Sequence, residues 1–309
     1  MNKTMKRILI IAALVLGCCA GCKSLWNVIK NAPAVRDGYQ NKFNYPGAIE
    51  KMYAADGQYS VEFYEQESVE EIIKLFQVYY PADLKTTDRK WPVVIMANGT
   101  GIPAQKYKAI FKHLASWGFI VIGNQDEWAW NGNSANLSQA FISAENENPQ
   151  SIFYQKVDME NIGLTGHSQG GMSVYTAASL YENSGNYKAL CTQSGTAVML
   201  ADSLGWDFLK PISAPMLMMG GGGNSDAKLL CPLEAMEQTY DHLDAKPVIM
   251  GRIKGIEHGD MLPRGDAYMT AWMRYWLYND QLAGGFFLGD NAEILTNSDW
   301  QDVQRKGLN

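Results

Sequence analysis

The sequence is 309 residues long, 47% hydrophobic and 19% charged, which specifies a folded core and excludes a disordered chain. Its formal net charge is −6 and Lys and Arg never cluster into a run. Nucleic acid is therefore not an expected partner, because phosphate binding rests on clustered basic charge. A chain of this size buries most of the surface its unfolded form exposes and needs no disulfide or metal scaffold to fold.

Lys3, Lys6 and Arg7 precede an uncharged apolar run from Ile8 to Leu16, followed by Gly17-Cys18-Cys19-Ala20-Gly21-Cys22. The run falls far short of the roughly 20 apolar residues that cross a bilayer, and the order of charge, apolar stretch and small residues marks an export signal. Small residues directly before a Cys resemble the bacterial lipoprotein pattern, in which that Cys becomes the lipidated first residue of the mature chain. Cys18, after Leu14-Val15-Leu16-Gly17, fits best; Cys22, after Ala20-Gly21, is the alternative. An ordinary secretory cleavage near Ala20 or Cys22 is the third reading. Residues 1–22 are thus expected to be a signal. The protein is expected in the cell envelope, lipid-anchored in the periplasm or on the cell surface, and touching the membrane only through that anchor. Loss of three positive charges takes the net charge from −6 to −9. Cys191 and Cys231 remain, and two separate buried thiols are expected, although an oxidising compartment would allow a bridge.

Residues 23–57, with Pro33, Pro46 and few periodic apolar runs, are expected to form a linker and lead-in segment, and residues 58–309 one domain. Strands are predicted at Tyr59–Tyr64, Lys74–Tyr80, Val93–Ala97, Ile120–Gly123, Ile162–Thr165, Ala189–Thr192, Met216–Met219 and Val248–Ile253. Helices are predicted at Gln105–Ser116, Asn136–Glu145, Gly170–Tyr181, Pro232–Leu243 and Gly265–Leu277. The later strands are continuously apolar, as parallel strands buried on both faces are. Strand and helix in alternation specify an α/β fold. About eight mostly parallel strands, opened by a pair that can be antiparallel, carry helices on both faces.

Ile162–Thr165 runs straight into Gly166-His167-Ser168-Gln169-Gly170-Gly171, and a helical pattern follows. This is G-x-S-x-G in the strand–turn–helix setting that gives it meaning, with a sharp turn presenting the Ser168 hydroxyl at the carboxyl edge of the sheet. A glycine-rich turn without chemistry is the bland alternative, and the flanking elements weigh against it. A serine nucleophile needs a base. Of the four His, His113 lies in a helical pattern and reads as a surface residue. His167 adjoins the nucleophile but leaves the turn in another direction, and reads as a pocket-lining, substrate-binding residue. His242 sits beside Asp241 and Asp244 on a solvated helix face. His258 is left, in Gly255-Ile256-Glu257-His258-Gly259-Asp260 after the last predicted strand, downstream of Ser168 as the order Ser…Asp…His requires.

Asp226, in the loop after Met216–Met219, is the expected acid that orients the imidazole. Asp202, Asp207 and Glu234 compete with it, and a helix cap is its bland reading. The run Gly220–Gly223 ahead of it implies backbone lying close to another surface, or a mobile loop. The oxyanion donors are expected to be the amides of Gln169 and of Thr100, the latter in Asn98-Gly99-Thr100-Gly101 after the third strand. Trp128 and Trp130, on an Asn/Gly-rich loop after the fourth strand, are expected either to stack on a sugar ring or aromatic acid, or to pack against Trp206 or the core.

With these residues in place, the chain resembles α/β-hydrolases of the dienelactone-hydrolase, chlorophyllase and cutinase-like polyester-hydrolase group. Asn148–Asp158, reading NPQSIFYQKVD, is similar to the SPFYGKID stretch of that group, and Lys254–His258 to its KGAGH loop. Ala271–Leu277 and Ser298-Asp299-Trp300 are similar to the tail of its secreted bacterial esterases, so that the likeness covers about Tyr59 to Asn309. Three departures set the chain apart from the polyester hydrolases. Thr100 stands where they carry an aromatic residue, Asn291–Trp300 holds no Cys pair, and Asp226 lies further from Pro232. The resemblance implies an α/β-hydrolase fold and a serine carboxylic ester hydrolase that forms an acyl-enzyme on Ser168. A small-molecule or polymer ester is the implied substrate, with acetyl or feruloyl esters of polysaccharide suggested by export. No metal or cofactor is implied, and beyond residue 22 no H-x-E or C-x-x-C spacing occurs. A serine peptidase of the same fold and a non-catalytic α/β-hydrolase-like binding lipoprotein remain the alternatives, and the oligomeric state is open.

Overall fold

Val93, Val94, Ile95 and Met96 have no accessible surface, as a continuous apolar run requires when its sheet is covered on both faces. In the computed structural model, which describes residues 32–308, that sheet contains β1 (Val61–Glu67), β2 (Leu75–Pro81), β3 (Trp91–Ala97), β4 (Ile120–Asn124), β5 (Val157–His167), β6 (Tyr187–Gln193), β7 (Met216–Gly221), β8 (Val248–Ile253) and β9 (Trp300–Lys306). Their spatial order is β1-β2-β4-β3-β5-β6-β7-β8-β9. β3 to β8 run parallel, whereas the β1–β2, β2–β4 and β8–β9 pairs are antiparallel. The main helices are α1 (Ala48–Ala54), α2 (Lys108–Ser116), α3 (Asn133–Glu147), α4 (Gln169–Ala177), α5 (Val198–Leu204), α6 (Leu233–His242) and α7 (His258–Tyr278).

Alternation of side chains along the strands sorts the core into two layers. Val93 and Ile95 share one with Ile142 of α3 and Val174 of α4; Val94 and Met96 share the other with Ile110 and Leu114 of α2 and Trp272 of α7. A mostly parallel sheet clad in this way is the α/β-hydrolase fold, and it collects the loops that leave β3 to β8 along one edge.

The ninth strand is additional to the eight predicted. β9 reads Trp-Gln-Asp-Val-Gln-Arg-Lys, with no apolar alternation, because it is an edge strand and mostly half-buried. Backbone pairing to β8 holds it, together with Arg252 on Asp302 at 2.6 Å. α7 also starts well before the predicted Gly265 and runs through Pro263. That proline lies in the second turn, where it removes one N–H donor, and the buried residues beyond it, Tyr268, Met269 and Trp272 among them, carry the helix.

The compact unit begins at Val35. In the segment expected to lead into the domain, Tyr39 and Tyr53 are buried, and Glu50 of α1 meets Arg264 of α7 at 2.6 Å. Cys18 and Cys22, with the rest of the expected signal, lie outside the described residues. Among the described residues no helix is long and apolar enough to cross a membrane. Cys191 and Cys231 are both buried and unbridged, and burial pushes both thiols up.

Candidate active site

Ser168 sits between the last residue of β5 and the first of α4, with φ 59 and ψ −122. A non-glycine residue rarely adopts this conformation, and it persists only where its surroundings enforce it. They do so here by close packing. A Cβ on Gly166 would lie 2.3 Å from the Gly170 carbonyl oxygen, and one on Gly170 would lie 2.1 Å from that of Ala97. The two glycines of the motif thus let α4 press against β5 and the end of β3. The Ser168 N–H is tied to the Gln193 carbonyl at 2.8 Å.

Asp226 is buried, in a turn after β7. Its Oδ1 lies 2.6 Å from His258 Nδ1. Its Oδ2 accepts from the Ser194 hydroxyl and, at 2.8 Å, from the Gly221 N–H. Burial alone would raise the Asp226 pKa, but the His258 hydrogen bond and charge, with the Ser194 and Gly221 donors, outweigh it and hold the carboxyl below its usual range. The ionised carboxylate accepts, so Nδ1 of His258 carries the proton. The glycine run is close-packed: a Cβ on Gly221 would meet the Ile256 carbonyl oxygen at 2.3 Å and Asp226 Oδ2 at 2.8 Å.

His258 is the first residue of α7 and is half-buried. Ser168 and His258 are linked through His167, the residue before the serine. His167 Nε2 lies 2.9 Å from the His258 carbonyl oxygen, and the two imidazoles are 4.7 Å apart. Ser168 Oγ itself makes no hydrogen bond to His258 among the described residues. The contact to a carbonyl fixes His167 as a donor at Nε2. Loss of solvation, then the proximity of His258, lower its pKa to about 3, so the ring is neutral. His167, expected to contact substrate, is therefore turned toward the backbone of His258.

The amides of Gln169 and Thr100 have no protein acceptor among the described residues. The Thr100 loop is held from beneath. Asn98 Nδ2 donates to the carbonyls of Asn124 at 2.8 Å and Asp126 at 2.7 Å, and the Gly99 N–H donates to the hydroxyl of buried Tyr107 at 2.9 Å. Gly99 lies against the elbow, since a Cβ there would be 3.3 Å from the His167 carbonyl oxygen and 3.8 Å from Ser168 Cβ. The Trp128 loop joins the same cluster through the Gly101 N–H on the Glu127 carbonyl at 3.0 Å. Trp128 and Trp130 are 54% and 47% exposed, large values for Trp, and Trp206 stacks on His242 instead of on either of them.

His242 is exposed, as expected. His113 is not the surface residue its helical pattern suggests. It is 1% exposed, with Nδ1 2.6 Å from Asp266 of α7 and Nε2 2.9 Å from the Ala55 carbonyl oxygen. α2 turns this face toward α7, a pairing between distant segments that helical periodicity cannot reveal. A cavity of about 570 Å³ lies beside it, between residues 37–57 and α2, lined by residues other than Ser168, Asp226 and His258. Sequence reasoning also passed over Ser194, Ser225, Glu257, Asn98 and Tyr107, which hold the loops of the site. Adjacency to the candidate base for Glu257, to the candidate acid for Ser225 and to the oxyanion loop for Asn98 was the signal available, and it names no task. Among the described residues no three His, Cys, Asp or Glu side chains group as a metal site.

The Chlorophyllase family model matches residues 53–192. That stretch runs from the end of α1 into β6 and includes the Thr100 loop and Ser168, while Asp226 and His258 lie beyond it. No curated protein matches the chain.

Proposed function

We propose that the protein is a serine-dependent carboxylic ester hydrolase working through an acyl-enzyme. The carrying observation is the Asp226–His258 contact of 2.6 Å, at the sheet edge where Ser168 occupies its strained elbow. The similarity of residues 53–192 to the Chlorophyllase family supports hydrolase chemistry on this fold. In the first step His258 Nε2 takes the Ser168 proton as Oγ attacks the ester carbonyl, and the Gln169 and Thr100 amides receive the oxyanion. His258 then gives the proton to the departing alcohol, leaving an acyl group on Ser168. A water activated by the same imidazole releases it. The buried Asp226 stays ionised and stabilises the imidazolium formed in each half-reaction.

The substrate proposed is an extracytoplasmic ester, with acetyl or feruloyl esters of polysaccharide first to be tried. The exposed Trp128 and Trp130, on a loop hydrogen-bonded to the Thr100 loop, supply ring faces for a sugar or aromatic acid. Export with residues 1–22 as the signal and a lipid anchor on Cys18 or Cys22 belongs to the same proposal, and metabolic labelling with a palmitate analogue in Cys18→Ala and Cys22→Ala variants tests it. The function is tested by ester release over acetyl, butyryl, feruloyl and polyester substrates. Turnover lost in both Ser168→Ala and His258→Ala is expected, and turnover surviving Ser168→Ala would sink the mechanism.

A further inference from the structure

We infer that Ser225 and Glu257 are positioning residues that latch the His258 loop onto the Asp226 loop, an inference that rests on the serine-hydrolase reading above. Three of the four polar handles of His258 are engaged. Nδ1 meets Asp226 at 2.6 Å, the carbonyl oxygen accepts from His167 at 2.9 Å, and the N–H donates to Ser225 Oγ at 2.8 Å. Only Nε2, the atom that must exchange a proton with Ser168, is left free among the described residues.

The Ser225 contact answers a specific need. His258 opens the 21-residue helix α7, and N–H groups of a first helical turn have no partner within their own helix. Ser225, from the loop after β7, caps one of them. The serine hydroxyl donates in turn to Glu257 Oε2, which also accepts the Ser225 N–H at 2.7 Å, while Oε1 accepts the Asn224 N–H at 2.9 Å. These contacts, the Ser225 hydroxyl first, hold the exposed Glu257 carboxyl below its usual pKa range. The arrangement is reciprocal. The residue before the acid holds the base, and the residue before the base holds the residue before the acid. The two loops also meet through their backbones, the Gly223 N–H on the Ile256 carbonyl oxygen at 2.8 Å; the latch adds a direct hold on His258, and the Nδ1 contact is formed before any substrate arrives. Stabilising the loops alone would require no contact to His258 itself; the Ser225 bond to its N–H is what makes the latch a positioning device.

The test compares wild type with Ser225→Ala, Ser225→Thr and Glu257→Gln in p-nitrophenyl acetate turnover. Alongside it, the far-downfield proton resonance of His258 Nδ1–H is recorded. Ser225 has helical backbone angles, φ −64 and ψ −41, so Thr is tolerated and keeps the hydroxyl. Ser225→Ala and Glu257→Gln are expected to lower kcat roughly tenfold with KM little changed, because a misplaced base costs rate and leaves ester binding intact. Both should broaden or shift the resonance, and Ser225→Thr should restore rate and resonance together. Wild-type kcat and an unmoved resonance in Ser225→Ala would overturn the latch, as would a loss of rate that Thr fails to restore while the resonance stays in place. Failure of the underlying reading is distinct: the wild type would then neither turn over ester nor react with a fluorophosphonate, whatever the resonance shows.

Discussion

Removing the Ser194 hydroxyl tests how the acid is held, and two substitutions at that position separate two effects. Ser194 is 3% exposed, donates to Asp226 Oδ2, and has φ 51, the left-handed region. Ser194→Ala deletes the donor and keeps the Cβ. Asp226 is fully buried, so no solvent takes the vacated place freely, and a hydrogen bond to a charged group contributes about 2 kcal/mol. Ser194→Gly deletes the same donor but relieves the left-handed strain, worth about 1 kcal/mol. Urea unfolding near neutral pH should therefore rank wild type above Ser194→Gly and Ser194→Ala lowest. Both variants should lose kcat by about tenfold and to the same extent, because activity follows the hydroxyl and not the strain. The Asp226 pKa is depressed in the fold. The stability that the hydroxyl confers is therefore present above the unfolded carboxyl pKa and lost as pH falls through the folded value, so the gap between wild type and Ser194→Ala should close in acid. Equal stabilities of wild type and Ser194→Ala at neutral pH, or a Gly variant with undiminished kcat, would refute the reasoning.

Other consequences follow from the same contacts. Gly170→Ala drives a Cβ into the Ala97 carbonyl; about 2 kcal/mol of stability should be lost by denaturant titration and ester turnover should fall sharply, since the elbow must shift. Tyr107→Phe removes the acceptor of the buried Gly99 N–H and should cost about 1–3 kcal/mol in stability, with a loss of kcat measured on the same preparation. Glu50→Ala leaves Arg264, 2% exposed, with Asp299 alone, and should destabilise by about 3 kcal/mol in thermal unfolding. Burial opposes charge on His113, but Asp266 outweighs it and raises the pKa. Its stabilising contribution is present below the unfolded pKa and lost as pH rises through the folded one. Urea midpoints measured from mildly acidic to alkaline pH should fall in wild type and flatten in His113→Leu.

The parts of this molecule legible in the sequence are those whose cause is local. β3, β7 and the buried stretches of β5, β6 and β8 announce themselves because burial on both faces demands apolar runs, while the polar start of β5 does not. The elbow does because a strained turn between strand and helix demands its glycines. His258 and Asp226 are reached from chain order and loop position. What was not legible depends on distant partners. β9 is polar and reads as loop until β8 supplies its backbone partner. His113 has the same helical spacing whether it faces water or Asp266, more than a hundred residues away. Ser194, Ser225 and Glu257 are ordinary polar loop residues in the sequence, and only the convergence of the loops after β6, β7 and β8 gives them a task. Residues 35–57, short of apolar periodicity, join the compact unit through buried Tyr39, Tyr53 and the Glu50–Arg264 pair.

The central claim, that Ser168 is a nucleophile activated by His258 and Asp226, is tested most directly by treating the purified protein with a fluorophosphonate and locating the adduct by peptide mass spectrometry. The account predicts one covalent adduct on the peptide containing Ser168, formed in the wild type and abolished in His258→Ala. An adduct on another residue, or none at all in folded wild-type protein, would contradict it.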